Sequence, residues 1–148
     1  MKISSKNLPP NGWVDINYEL LFDLALKVTK NSYAPYSHFR VGATLLLENG
    51  NIIQGVNIEN RSYGLTNCAE RTAIYTAVAS GELSFKALAI ATPDASYPVP
   101  PCGACRQVIS EFMKEDAFII FGNSKENIKI LQVKELYPYD SLHELGSI

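Results

Sequence analysis

The sequence has no apolar run near the roughly 18 residues needed to cross a membrane. Its first residues, MKISSKNLPPNGW, also lack the apolar stretch of a secretory signal. Both absences lead us to expect a cytoplasmic protein with no membrane partner. Positive charge is not in excess: 13 Lys and Arg stand against 15 Asp and Glu, a net charge of −2. A nucleic-acid-binding domain usually carries a basic face, so this balance argues against a nucleic-acid partner. Cysteine is scarce, with three residues in 148. An odd count disfavours a disulfide framework, and reduced thiols in a cytosolic chain more often serve metal binding or catalysis. No repeat, low-complexity tract or long linker divides the sequence, and a chain of this length can bury a core without cross-links. Residues 1–148 are expected to form one domain, with the polar residues 1–14 as a loose arm.

Hydrophobic residues make up 47% of the chain, enough for a globular core. From about Asn17 to Lys30, Leu20, Leu21, Leu24 and Val28 fall on one helical face. SYAPYSHFR (32–40) reads as a loop, because Pro35 alone breaks a helix. VGATLLLENGNIIQGVNI (41–58) reads as a β-hairpin turning at Asn49-Gly50. Helices are expected over Asn67–Ser80, stopped by Gly81, and over 103–114, where Cys105, Val108, Ile109 and Phe112 share a stripe. Strands are expected at FKALAIAT (85–92), AFIIFG (117–122) and IKILQV (128–133). The order α-β-β-α-β-α-β-β predicts an α/β fold, a mixed sheet covered by helices on its faces.

All three cysteines lie in two short segments, NCAERTA (67–73) and PCGACRQV (101–108). Cys102 and Cys105 are spaced i, i+3 at a helix start, so their sulfurs share a face. Cys68 begins another helix. Helix N-termini carry partial positive charge and lower thiol pKa values, and two such ends brought together would gather three thiolates, a soft site suited to Zn²⁺. A structural zinc site normally takes four protein ligands. Here there is no fourth cysteine, and His38 and His143 lie far off in sequence. Three ligands leave one coordination position open, which is the catalytic arrangement. Glu70, two residues after Cys68, is suited to moving protons there. Arg71 is a cation in a first helical turn, where the dipole disfavours it. Hydrogen bonds from its guanidinium to the sulfurs would offset the excess charge of three thiolates around one Zn²⁺. Taken singly, a redox CxxC pair, a buried core thiol and two ordinary surface charges would explain these residues. Taken together, a ligand-x-Glu followed by P-C-x-x-C is the signature of zinc-dependent deaminases.

The two segments resemble the zinc motifs of the cytidine deaminase family in its small three-cysteine form. YAPYSHFRVGA (33–43) is similar to that family's loop and first strand, and GVNIEN (55–60) to the strand end that holds the ribose. The resemblance runs over roughly residues 18–136. It implies a three-layer α/β/α sandwich around a five-stranded mixed sheet, and one Zn²⁺ per chain on Cys68, Cys102 and Cys105. It further implies Glu70 as the catalytic residue, Phe39 lining the nucleoside pocket, and Asn57 and Glu59 on the ribose 3′-hydroxyl. The Ala69 N–H would meet the pyrimidine O2, and Tyr63 would reach a neighbouring subunit's pocket. The implied activity is hydrolytic deamination of free cytidine and 2′-deoxycytidine in pyrimidine salvage, by a homotetramer whose pockets are completed by neighbours. The alternative is a related deaminase of another cytosine nucleoside such as blasticidin S, against which NIEN favours the ordinary ribose site. The tail, ELYPYDSLHELGSI (135–148), departs from the family: Ser141 stands about where an aromatic is usual, with Tyr139 two residues earlier. A missing aromatic partner would weaken base binding by about 0.5–1.5 kcal/mol beyond the area lost.

Overall fold

Asn17 starts the first helix, its Oδ1 accepting from the Leu20 N–H at 2.9 Å in the computed structural model, which describes residues 16–142 and 145. The expected arm at 1–14 and His143 lie outside the described residues. That helix, α1 (Tyr18–Val28), leads through a loop into the hairpin of β1 (Gly42–Leu47) and β2 (Ile52–Val56). Gly50 turns the hairpin at φ +88°, a conformation glycine adopts without a Cβ penalty. Helix α2 (Ala69–Ala79), strand β3 (Phe85–Ala91), helix α3 (Gly103–Phe112), strands β4 (Met113–Ser124) and β5 (Asn127–Gln132), and a short helix α4 (Val133–Leu136) follow.

The strands form one five-stranded sheet in the order β2-β1-β3-β4-β5. Only β3 and β4 run parallel, joined by the crossover through α3, so the sheet is mixed. Alternation along β3 assigns its two faces. Ala87, Ala89 and Ala91 pack with Phe22 and Ala25 of α1, while Leu88 and Ile90 pack with Ile74 of α2 and Ile109 of α3. Helices therefore cover both faces, giving the expected three layers. The small side chains on the α1 face let that helix lie close to the sheet.

Several boundaries differ from the sequence expectation, the largest being the start of β4, expected at 117 and found at Met113. The third helix ends at Phe112 rather than at 114, and β4 begins at once with Met113. Met113 is buried and pairs with Phe85, so sheet pairing captures a residue that helical periodicity would have kept. The last strand ends at Gln132, and Val133 turns into α4. A capping box forms there: Glu135 accepts from the Gln132 N–H at 2.8 Å, while the Gln132 side chain accepts from the Glu135 backbone.

Candidate metal centre and active site

Two helix starts meet at the C-terminal end of β3. Cys68 immediately precedes α2, Cys102 immediately precedes α3, and Cys105 sits in the first turn of α3. Each neighbourhood is anchored. Asn67 exchanges backbone hydrogen bonds with Ile58, both 2.9 Å, which ties the entry of α2 to the chain leaving β2. Arg106 donates from Nε to the Pro101 carbonyl and from Nη1 to the Leu136 carbonyl, both at 2.8 Å, fixing the entry of α3.

The three Sγ atoms lie within 4.8 Å of one another, and none is in a disulfide. Cys68 and Cys102 are 3.9 Å apart, sulfur to sulfur. Tetrahedral zinc with Zn–S bonds of about 2.3 Å holds its sulfurs about 3.8 Å apart, so the donor set fits Zn²⁺ in both chemistry and spacing. Cys105 is buried, Cys68 half-buried and Cys102 exposed. Arg71 lies where its position suggested, donating from Nη2 to the Cys68 sulfur at 3.2 Å. Burial opposes its charge, but hydrogen bonds to the sulfurs of Cys68 and Cys105 more than offset that and raise its pKa. The neighbouring Cys105 thiol, helped by Arg71 and opposed by burial, pulls Cys68 down to about 5. Cys105 is pushed up in turn, since a second thiolate would form beside the first.

Glu70 is buried. Burial is the chief cause that pushes its carboxyl up to about 7; its own backbone N–H opposes this and the charge on Cys68 adds to it. A bound dication would draw that value down again. Glu70, Cys68 and Cys102 all line a cavity of about 230 Å³, whose apolar walls include Phe39, Val41, Ile90, Val99 and Pro100. A second cavity of about 390 Å³ adjoins it, sharing Phe39, Asn57 and Thr66 and adding Tyr36, Ser37, Glu59 and Tyr63.

Asn57 and Glu59 are both buried. The Asn57 amide is largely engaged by its own loop. Oδ1 accepts from the Ser32 hydroxyl and, at 2.9 Å, from the Val41 N–H, while Nδ2 donates to the Phe39 carbonyl at 2.8 Å. The Glu59 carboxylate accepts from the backbone N–H and the hydroxyl of Ser37. Ser32, Ser37 and Thr66 were missed in the sequence. Their only signal was a hydroxyl near each expected ribose contact, too common a feature to single out. Ala69 is buried at the first position of α2, where an N–H has no intrahelical acceptor. Tyr63 is 77% exposed and meets Tyr36 edge-on, ring centres 6.2 Å apart. Tyr139 is 91% exposed and lines a separate cavity beside Tyr137, whose hydroxyl donates to Gln107 at 2.8 Å. Neither Tyr139 nor the exposed Ser141 lines the Glu70 cavity. Among the described residues no helix is long and apolar enough to cross a membrane.

Residues 16–121 match the family profile described as the cytidine and deoxycytidylate deaminase zinc-binding region. The chain belongs to this family. A cytidine deaminase of Halalkalibacterium halodurans is 47% identical over 120 residues, spanning 81% of this chain and 90% of the relative. The crystal structure of cytidine deaminase from Burkholderia pseudomallei superposes with a TM-score of 0.79 at 38% identity, covering 83% of this chain and 98% of that one. A blasticidin-S deaminase of Bacillus cereus is more distant, 33% identical over 125 residues, spanning 80% of this chain and 87% of its own. The family's description as zinc-binding agrees with the three-sulfur cluster, so zinc is the cofactor that fits.

Proposed function

We propose that the protein hydrolyses free cytidine and 2′-deoxycytidine to uridine and 2′-deoxyuridine, releasing ammonia. The observation that carries this reading is a buried carboxyl, Glu70, lining one apolar cavity together with two sulfurs of the metal cluster. Cys68, Cys102 and Cys105 would hold Zn²⁺, whose Lewis acidity would make water reactive near neutral pH. Phe39 lies against the pyrimidine, and the Ala69 N–H donates to its O2. Glu70 takes the proton given up by the attacking water and delivers it to N3 as oxygen adds to C4. It then takes the remaining proton from the C4 hydroxyl and passes it to the amino group; the C4–N bond breaks, the C4 carbonyl forms, and ammonia leaves. A buried carboxyl beside the sulfur cluster suits a group that must both accept and donate. Arg71 holds the sulfurs in place and spreads their charge.

Asn57 and Glu59 address the ribose 3′-hydroxyl. Glu59 retains acceptor capacity beyond its bonds to Ser37, and a hydroxyl donor fits it. Neither cavity is lined by Lys or Arg among the described residues, so a 5′-phosphate meets no countercharge. We place the enzyme in cytoplasmic pyrimidine salvage, as a homotetramer of single-domain chains. The exposure of Tyr63 beside the second cavity supports a neighbour there.

The test is turnover of cytidine, deoxycytidine, CMP and cytosine by purified protein, with zinc measured in the same sample. Both nucleosides are expected to react, with about one zinc per chain. Cytosine, which lacks the sugar, and CMP, whose phosphate meets no countercharge, should each fall behind by about 10²-fold or more in kcat/KM. CMP reacting as fast as cytidine would exclude the nucleoside reading.

A further inference from the structure

We propose that Arg40 and Asp94 are a positioning pair, a clasp that holds together two walls of the Glu70 cavity and so sets the affinity for cytidine; the role rests on the function proposed above. The pair is fastened at three points. The Arg40 backbone N–H and Nε donate to Asp94 Oδ2 at 2.9 and 3.0 Å, and Nη2 donates to Oδ1 at 2.7 Å. This forked contact, reinforced by a main-chain donor, is the strong form of the interaction. Arg40 holds the Asp94 carboxyl down to about 2.

Its place in the fold gives it a function. Arg40 lies between Phe39 and Val41, which line the cavity; Asp94 follows Thr92 by two residues and opens the loop that carries Val99 and Pro100, also lining it. The β1–β3 ladder ends at the pair Gly42↔Ala91. Continued in that register, Arg40 would stand opposite Pro93, which has no N–H to give. The ladder stops short of that pair, and the Arg40 N–H goes to the Asp94 carboxylate instead of to a strand carbonyl. Farther along the same loop, Asn123 Nδ2 donates to the Ala95 carbonyl at 3.0 Å, so the loop is held to β4 on one side and to the Phe39 segment on the other. Neither Arg40 nor Asp94 lines the Glu70 cavity, so the pair acts through Phe39 and the Val99–Pro100 wall.

Contacts to the ring exist in both the ground and the transition state, so loosening them raises KM and spares kcat. Arg40→Ala and the isosteric Asp94→Asn are each expected to raise KM for cytidine about tenfold, with kcat changed less than about twofold and zinc content unaltered. Arg40→Lys keeps the charge but loses the fork, and should recover only part of the affinity. Salt supplies a readout that a purely structural role would not move. The Arg40 and Asp94 side chains are 49% and 26% exposed, so ions can screen them. Cytidine is uncharged at pH 7, so its own encounter is insensitive to salt. Raising NaCl from about 0.05 to 1 M should raise the wild-type KM roughly two- to threefold and leave that of Arg40→Ala flat. Unchanged KM in both variants, or a drop in thermal stability with KM intact, overturns the clasp while the proposed function stands. Wild-type protein that carries zinc but does not deaminate cytidine overturns both.

Discussion

Glu70→Gln is expected to leave a folded, zinc-containing protein whose kcat for cytidine is lower by about 10²–10⁴-fold, the usual worth of a positioned proton-transfer group. The substitution isolates one property. Glutamine matches the shape of glutamate and its hydrogen-bonding reach, but its amide cannot take a proton from water or hand one to N3 or to the leaving amine. The three sulfurs are not touched, so zinc content should stay at the wild-type level. Stability should hold or rise. Glu70 is buried, so a carboxylate there costs the fold solvation. A neutral amide of the same size removes the cost, the common exchange of stability for function at active sites. The measurement is kcat and KM beside zinc content and a melting curve. Full deamination by a zinc-loaded Glu70→Gln protein would remove Glu70 from the chemistry. Loss of zinc along with activity would instead make Glu70 a support of the metal cluster.

What could be read from the sequence followed how local the determining physics is. The i, i+3 spacing of Cys102 and Cys105 is a helix property, and their sulfurs do share a site with Cys68. Arg71 gave itself away by breaking a dipole preference, and it lies on the Cys68 sulfur. Asn49-Gly50 specified a turn through backbone sterics alone, and the hairpin turns there. The errors came where distant pairing decides. Met113 leaves its helix because Phe85 offers a strand partner, and nothing within a few residues of Met113 announces it. Helix α4 was legible in principle, since Gln132 and Glu135 have capping-box spacing, but four residues make too little periodicity to register. Arg40 and Asp94 are 54 residues apart and meet only because β1 pairs with β3. The same holds for the bonds of Ser32 to Asn57 and of Ser37 to Glu59, which fix the expected ribose contacts from 25 and 22 residues away.

Gly55→Ala should destabilise the fold by about 3 kcal/mol, at the upper end of ordinary overpacking. It should also reduce kcat/KM at least about tenfold, because misplacing catalytic groups by a fraction of an ångström is costly. Gly55 lies in β2, opposite Ala43 of β1, with α2 lying across it. A Cβ built there would stand 2.5 Å from the Ala69 carbonyl oxygen and 2.5 Å from the Ala73 nitrogen. These are backbone atoms of α2, so no rotamer change can clear them. The helix itself must move, and its first turn carries Glu70 and Arg71, with Cys68 just ahead of it. The sign of the effect discriminates between two accounts. Glycine is a poor strand former, and if its conformational freedom were the whole story, alanine would stabilise by about 0.5–1 kcal/mol. Close approach of helix to strand predicts the opposite. Gly64→Ala is the control, since a Cβ there meets nothing within 4 Å; its stability should stay within about 0.5 kcal/mol of wild type. At roughly 3 °C per kcal/mol for a chain of this size, Gly55→Ala should melt about 10 °C lower. An unchanged or higher melting temperature would mean that α2 rides farther from β2 than these contacts require, and that the positions of Cys68 and Glu70 do not depend on a bare strand beneath them.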